Sequence, residues 1–200
     1  DEKVHLASGY AYWKTGIIRL NAYDHPPLTE LIEGLPLLFL GLNFPRDSAS
    51  WREQNQYAFG NELLYHNTVP ADKILFWSRI PVILLSLVLC FFVYLWAKRL
   101  FNEPAGLTAA LLYTLCPNML AHAHLATTDL GATLFVFICC YAFWEYYRAP
   151  SGWKAAYTGL GLGLALAAKF SAIILPVLMV IVFIFIKPGK SAKPRDFLII

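Results

Sequence analysis

A 200-residue chain that is 58% hydrophobic and only 14% charged, with a mean hydropathy of +0.52, carries more apolar surface than a soluble domain of that length can hide. Its formal net charge of +3 is too small for a nucleic-acid-binding surface, and its basic residues stand in short clusters between apolar runs, as membrane topology signals do. The four cysteines, Cys90, Cys116, Cys139 and Cys140, lie in or beside apolar runs without metal-ligand spacing or a secreted disulfide pattern, so they read as free thiols packed among helices.

In chain order, residues 1 to about 30 are polar and aromatic. They open on Asp1-Glu2-Lys3-Val4-His5 and are answered by Asp24-His25-Pro26-Pro27-Leu28. Tyr10, Tyr12, Trp13 and Tyr23 alternate with Lys14 and Arg19, and such rings are expected at headgroup level. Pro26 and Pro27 should fix the direction in which the next segment leaves. Residues 27–42 are apolar but broken by Glu30, Glu33, Gly34 and Pro36, which predicts an interfacial or re-entrant helix rather than a span. Residues 43–71 are polar, with a short amphipathic helix expected around 51–64. Residues 1–73 are thus assigned as one external loop, and residues 74–200 as a transmembrane bundle.

Five spans are expected in that bundle, at about 74–96, 105–120, 130–147, 155–168 and 170–186. Pro117 interrupts the second, and Gly159, Gly161 and Gly163 should let the fourth approach a neighbour closely. The clusters Lys98-Arg99, Arg148 with Lys154, and the basic loop 187–195 fall on one side if the helices alternate, and that side is assigned as cytoplasmic. The opening segment, the 43–71 loop, the patch from His122 to Asp129, and Lys169 then share the other face with all five histidines: His5, His25, His66, His122 and His124. The reading is of an all-α, multi-span membrane protein whose polar chemistry collects at one edge.

The motifs DEKVH, YDHPPL, WSRIP, LATTDLGATLF and AAKFSA occur here in the order seen in the protein O-mannosyltransferase superfamily, and the chain resembles that family over essentially its whole length. The relatives include phospholipid-carrier-dependent glycosyltransferases and the aminoarabinose transferase of lipid A. The resemblance implies a GT-C fold, with a helix before Asp1 and further helices and a possible soluble domain after Ile200. The box continues Thr29-Glu30 where the mannosyltransferases themselves usually carry Gly-Lys.

The resemblance also assigns roles. Transfer from a polyprenyl-phosphate sugar donor, on a dolichyl or undecaprenyl carrier, needs a base for the acceptor hydroxyl and cations for the departing phosphate. Asp1 is the candidate base, Glu2 a candidate for orienting the acceptor or a metal, and Asp129 the second-loop acid, which could equally cap its helix. His5 and His25 would contact substrate or organise the loop. Arg79 and Lys169 would bind donor phosphate, with snorkelling to the headgroups as the ordinary alternative. A divalent ion held by Asp1, Glu2, His122 and His124 is left open, and no cofactor is required. The expected function is sugar transfer, inverting, to a hydroxyl of a protein, lipid or glycan on the non-cytoplasmic face, with a bacterial inner membrane and a periplasmic site as the setting. Rival readings are a transporter or flippase, which would carry its charges near mid-membrane, and a non-catalytic scaffold subunit.

Overall fold

The computed structural model describes residues 1–185, and among these every regular element is helical. The chain runs α1 (Glu2–Thr15), α2 (Leu28–Gly34), a 3-10 turn (Leu35–Phe39), α3 (Ala49–Arg52), α4 (Gln56–Tyr65) and α5 (Ala71–Leu100). It continues with α6 (Glu103–Leu115), α7 (Pro117–His122), α8 (Thr128–Arg148), α9 (Gly152–Ala168), a second 3-10 turn (Phe170–Ile173) and α10 (Ile174–Phe185). The basic loop 187–195 lies outside the described residues.

Residues 2–15 of the opening segment form a largely buried helix. Every residue of α1 from Val4 to Tyr12 is buried, because α2 and α4 pack on it from two sides. Tyr10 and Tyr12 therefore point inward: Tyr10 donates its hydroxyl to Leu42 O (2.9 Å), and Tyr12 accepts the Asn21 amide (3.2 Å). Trp13 and Tyr23 remain exposed. The helix closes on Gly16, whose φ of +71° lets its N–H reach Tyr12 O.

Leu6, Tyr10, Leu37, Phe59, Leu63 and Ile74 are almost fully buried in the core that α1, α4 and the start of α5 share. Each such side chain contributes roughly 1.5–3 kcal/mol of burial free energy. Trp51, Phe59 and Phe44 stack at 5.0–5.6 Å within it. The helix expected around 51–64 is thus two helices, parted at Gln54 (φ +59°) and capped anew by Asn55, which accepts from the Ala58 amide. The 27–42 segment packs inward at its start, where Thr29, Glu30, Glu33 and Gly34 are all buried and α2 lies against α1.

Among the described residues two helices are long and apolar enough to cross a membrane: α5, with 30 residues, and α8, with 21. They correspond to the expected spans 74–96 and 130–147. The second expected span is divided, because Pro117 has no N–H to continue the ladder and Cys116 takes an extended conformation, leaving α6 with 13 residues. α9, with 17 residues, and the described part of α10, with 12, are shorter than such a helix. Of the three glycines of α9 only Gly161 makes a close approach, where an added Cβ would lie 3.0 Å from Cys139 Cα; Gly159 and Gly163 face open space.

At one end of the bundle, where α5 and α8 finish and α9 begins, Glu145 joins Arg99 (3.5 Å) and Lys154 (3.4 Å). The four cysteines are free thiols. At the other end α1 crosses α2 at Gly9 and Gly34. A Cβ on Gly9 would stand 1.8 Å from Glu30 O, and one on Gly34 2.3 Å from the carbonyl carbon of Gly9. The obstructing atoms are backbone and cannot rotate aside. Gly9→Ala or Gly34→Ala should therefore force the two helices apart, at about 3 kcal/mol or more, the upper part of the overpacking range. A thermal melt of either variant in detergent, compared with Gly159→Ala, which should change little, checks this.

Candidate active site

The end of the bundle marked by the Gly9–Gly34 crossing gathers the polar groups. α1 presents its first turn here. Glu2 accepts two hydrogen bonds from the Arg79 guanidinium of α5, Nε at 2.8 Å and Nη2 at 2.6 Å, and a third from the Ala126 amide at 2.8 Å. One carboxylate thus ties α1, α5 and the approach to α8 together. Burial alone would raise the Glu2 carboxyl, but the Arg79 hydrogen bond, the Ala126 amide and the Arg79 charge together hold it below the usual carboxylate range.

One turn further on, His5 Nδ1 lies 3.0 Å from Oε1 of Glu30, a residue of α2 with no solvent exposure. Asn21 donates its side-chain amide to the same oxygen. The His5 and His25 rings meet edge to face at 5.1 Å, and His25 Nδ1 stands 3.4 Å from Thr128 Oγ1 at the start of α8. Burial, then His5 and Lys169, lower His25 from its ordinary value, against the opposing pull of Glu30 and Asp24. Next along α8, Asp129 Oδ1 takes Lys169 Nζ at 2.5 Å. Thr127 occupies the cap position of that helix, and the Asp129 side chain serves the lysine rather than the helix amides.

Two cavities open among these groups. One, of about 420 Å³, is lined by Asp1, His5, Asp24 and His25, with Gln56 bonded to Asp24 at 3.0 Å. The other, of about 470 Å³, carries Asp129 and Lys169 at its polar end and Val136, Phe137 and Cys140 along its apolar wall. A site with these walls can hold a phosphate beside Lys169, an apolar chain along α8 and a hydroxyl near Asp1.

The sequence-expected residues thus form four contacts: Glu2 with Arg79, Asp129 with Lys169, His5 with His25, and His25 with Thr128. Asp1 is exposed on the first cavity. Arg79, expected on donor phosphate, here has its hydrogen bonds on Glu2. His122 and His124 take no part in these contacts; His124 Nδ1 lies 2.8 Å from Leu120 O. Among the described residues no group of three or more His, Cys, Asp or Glu is placed to hold a metal ion. With Glu2 committed to Arg79 and Ala126, the donor set Asp1, Glu2, His122 and His124 does not assemble.

Three residues beyond the sequence reading belong to the site: Asn21, Glu30 and Glu33. Both oxygens of Glu33 are buried without a hydrogen-bond partner, and burial, followed by the charges of Glu30, Glu2 and Asp129, pushes its carboxyl well above the usual range. Two acids three residues apart in an otherwise apolar stretch were the available signal, since buried ionisable groups are costly and persist where they are used.

A family model described as dolichyl-phosphate-mannose-protein mannosyltransferase matches residues 72–199. Among curated proteins, undecaprenyl phosphate-alpha-4-amino-4-deoxy-L-arabinose arabinosyl transferase 2 of Sodalis glossinidius (strain morsitans) is 32% identical over 152 residues, covering 72% of this chain and 26% of that protein. The chain therefore spans about a quarter of the length of that relative. No solved structure matches it significantly.

Because the folded state lowers the Glu2 carboxyl, the stability that Glu2 contributes is fully present above the unfolded value near 4.5 and is lost as pH falls through the folded one. Glu2→Gln should be less stable than wild type at pH 7, and the difference should close in acid. Thermal midpoints of the two proteins between pH 3 and 7 read this out directly.

Proposed function

Since the chain belongs to the dolichyl-phosphate-mannose-protein mannosyltransferase family, within the GT-C superfamily, we propose that it forms the donor-side part of a glycosyltransferase that moves a sugar from a polyprenyl-phosphate carrier to an acceptor hydroxyl. The observation that carries the reading is a pair of cavities walled by the groups of this site. Asp1 opens on one, and the Lys169–Asp129 pair stands at the polar end of the other, above an apolar wall.

In this reading Lys169 meets the donor phosphate, and the apolar wall along α8 takes the first part of the prenyl chain. Lys169 is better placed than Arg79 to bind phosphate: it lines the second cavity, whereas Arg79 lines neither and turns its Nε and Nη2 to Glu2. Asp129 sets the direction of the lysine. Asp1 takes the proton as the acceptor oxygen attacks the sugar carbon from the side opposite the phosphate, so the configuration inverts. A bacterial inner membrane with the site facing the periplasm fits the clustering of Arg99, Arg148 and Lys154 at the other end. A transporter would carry its ionisable groups at mid-bundle, whereas Asp1, Asp129 and Lys169 lie at helix starts and ends.

The test is sugar transfer by the full-length protein from polyprenyl-phosphate donors, wild type beside Asp1→Asn. Wild type should transfer, and the variant should lose about 10²- to 10⁴-fold in rate, the range of a lost general base. Undiminished transfer by Asp1→Asn would remove Asp1 from that role. Failure of wild type with every donor would turn the assignment toward transport or scaffolding.

A further inference from the structure

The buried Glu30–His5 pair lies outside the roles assigned above, and its geometry is that of a carboxylate fixing an imidazole. Glu30 has no solvent exposure, yet it receives two donors on Oε1, from His5 Nδ1 at 3.0 Å and from the Asn21 amide. Two donors converging on one oxygen is the pattern of an acceptor-only carboxylate. Asn21 is itself held in place, its backbone N–H bonded to the Tyr12 hydroxyl. Asn21 Nδ2 also stands 3.4 Å from His5 Nδ1; with Nδ1–H turned to Glu30, the second ring nitrogen, Nε2, is the one left as an acceptor. His5 lines the 420 Å³ cavity together with Asp1, which precedes it by four residues at the start of α1, so the two side chains share one face of the helix.

We propose that Glu30 is a positioning residue that holds His5 as the acceptor of the proton Asp1 removes, so that His5 and Glu30 carry that proton out of the site. The proposal rests on the glycosyltransferase reading given above. In the balanced step, the acceptor hydroxyl gives its proton to the Asp1 carboxylate while its oxygen bonds to the sugar carbon. The bond from that carbon to the phosphate oxygen breaks, and its electron pair leaves with the polyprenyl phosphate. Asp1 then passes the proton to His5 Nε2. The resulting imidazolium is paired with Glu30 until the proton escapes to water through the cavity, and Asp1 is ready for another turnover.

The surroundings suit that traffic. Asp1, at the cap of α1, lines the same cavity as His5, and Tyr12 of α1 faces Glu30; on α2, Glu33 stands one turn beyond Glu30. His25 touches the His5 ring from the connecting loop, Asp24 shares the cavity, and Asp129 with Lys169 lies at the starts of α8 and the turn after α9. Burial, then the charges of His5 and Lys169, oppose a proton on His25, whereas His5 has the Glu30 carboxylate at 3.0 Å from Nδ1.

The test follows kcat/KM for sugar transfer against pH in the full-length protein with a polyprenyl-phosphate sugar donor. Glu30→Gln keeps the shape and an accepting oxygen but loses the charge. It should lower the plateau about tenfold or more and move the acid limb to lower pH, because the imidazolium formed in the relay loses its counter-charge. Glu30→Asp should recover part of both. His5→Asn places an amide N–H where Nδ1–H stands, so it can keep the bond to Glu30 while lacking the accepting nitrogen; it should fall at least as far as Glu30→Gln. A uniform loss in Glu30→Gln without displacement of the acid limb, or wild-type rates in His5→Asn, would overturn the relay while leaving glycosyl transfer standing. Absence of transfer by wild type would take both readings down together.

Discussion

The backbone crossing of α1 over α2 sets the distances on which the site depends. With hydrogen atoms alone between Gly9 and Gly34, the two helices approach closely enough for a side chain on one to bond a buried side chain on the other. A methyl group at either position would push Glu30 away from His5 and carry the first turn of α1 away from Arg79. The aromatic core of Tyr10, Phe44, Trp51 and Phe59 then holds the far side of α1, so that the crossing cannot be relaxed by tilting the helix outward.

A second constraint joins this unit to the long helices. Glu2 accepts from α5 and from the chain just before α8 at once. Three donors on one half-buried carboxylate satisfy charge and lone pairs together, which makes such a group stabilising rather than merely tolerated. The placement of Asp1 follows: it precedes Glu2 at the helix start and is held at the cavity mouth by its neighbour's bonds. Thr128, bonded to His25, and Asp129, bonded to Lys169, carry the same registration into α8 and α9.

Periodicity and length made α5 and α8 legible, since long apolar runs admit few alternatives. The motif order gave the family, and the same residues appear at one end of the bundle. What the sequence hid was the helical state of residues 2–15. Their apolar positions do not stripe one face, because α2 and α4 cover the helix from two sides, and a helix buried all round carries no amphipathic signal. Likewise the Arg79–Glu2 bond spans 77 positions and has no local signature. Glu30 and Glu33 were visible as charges interrupting an apolar run, but their burial required knowing that α2 packs inward. Pro117 was recognised as an interruption; that it ends one helix and begins another depended on Cys116 becoming extended.

Glu33 carries a different consequence. Its carboxyl is raised in the folded state, so the folded chain holds a proton that the unfolded chain has released at any pH between about 4.5 and the raised value. Closing α2 onto α1 is then a proton-consuming step, with the opposite sign to the contribution of Glu2. Assembly of this corner of the molecule is linked to the proton activity of the compartment in which it takes place: acidity favours the docked hairpin, and alkalinity draws it open from within.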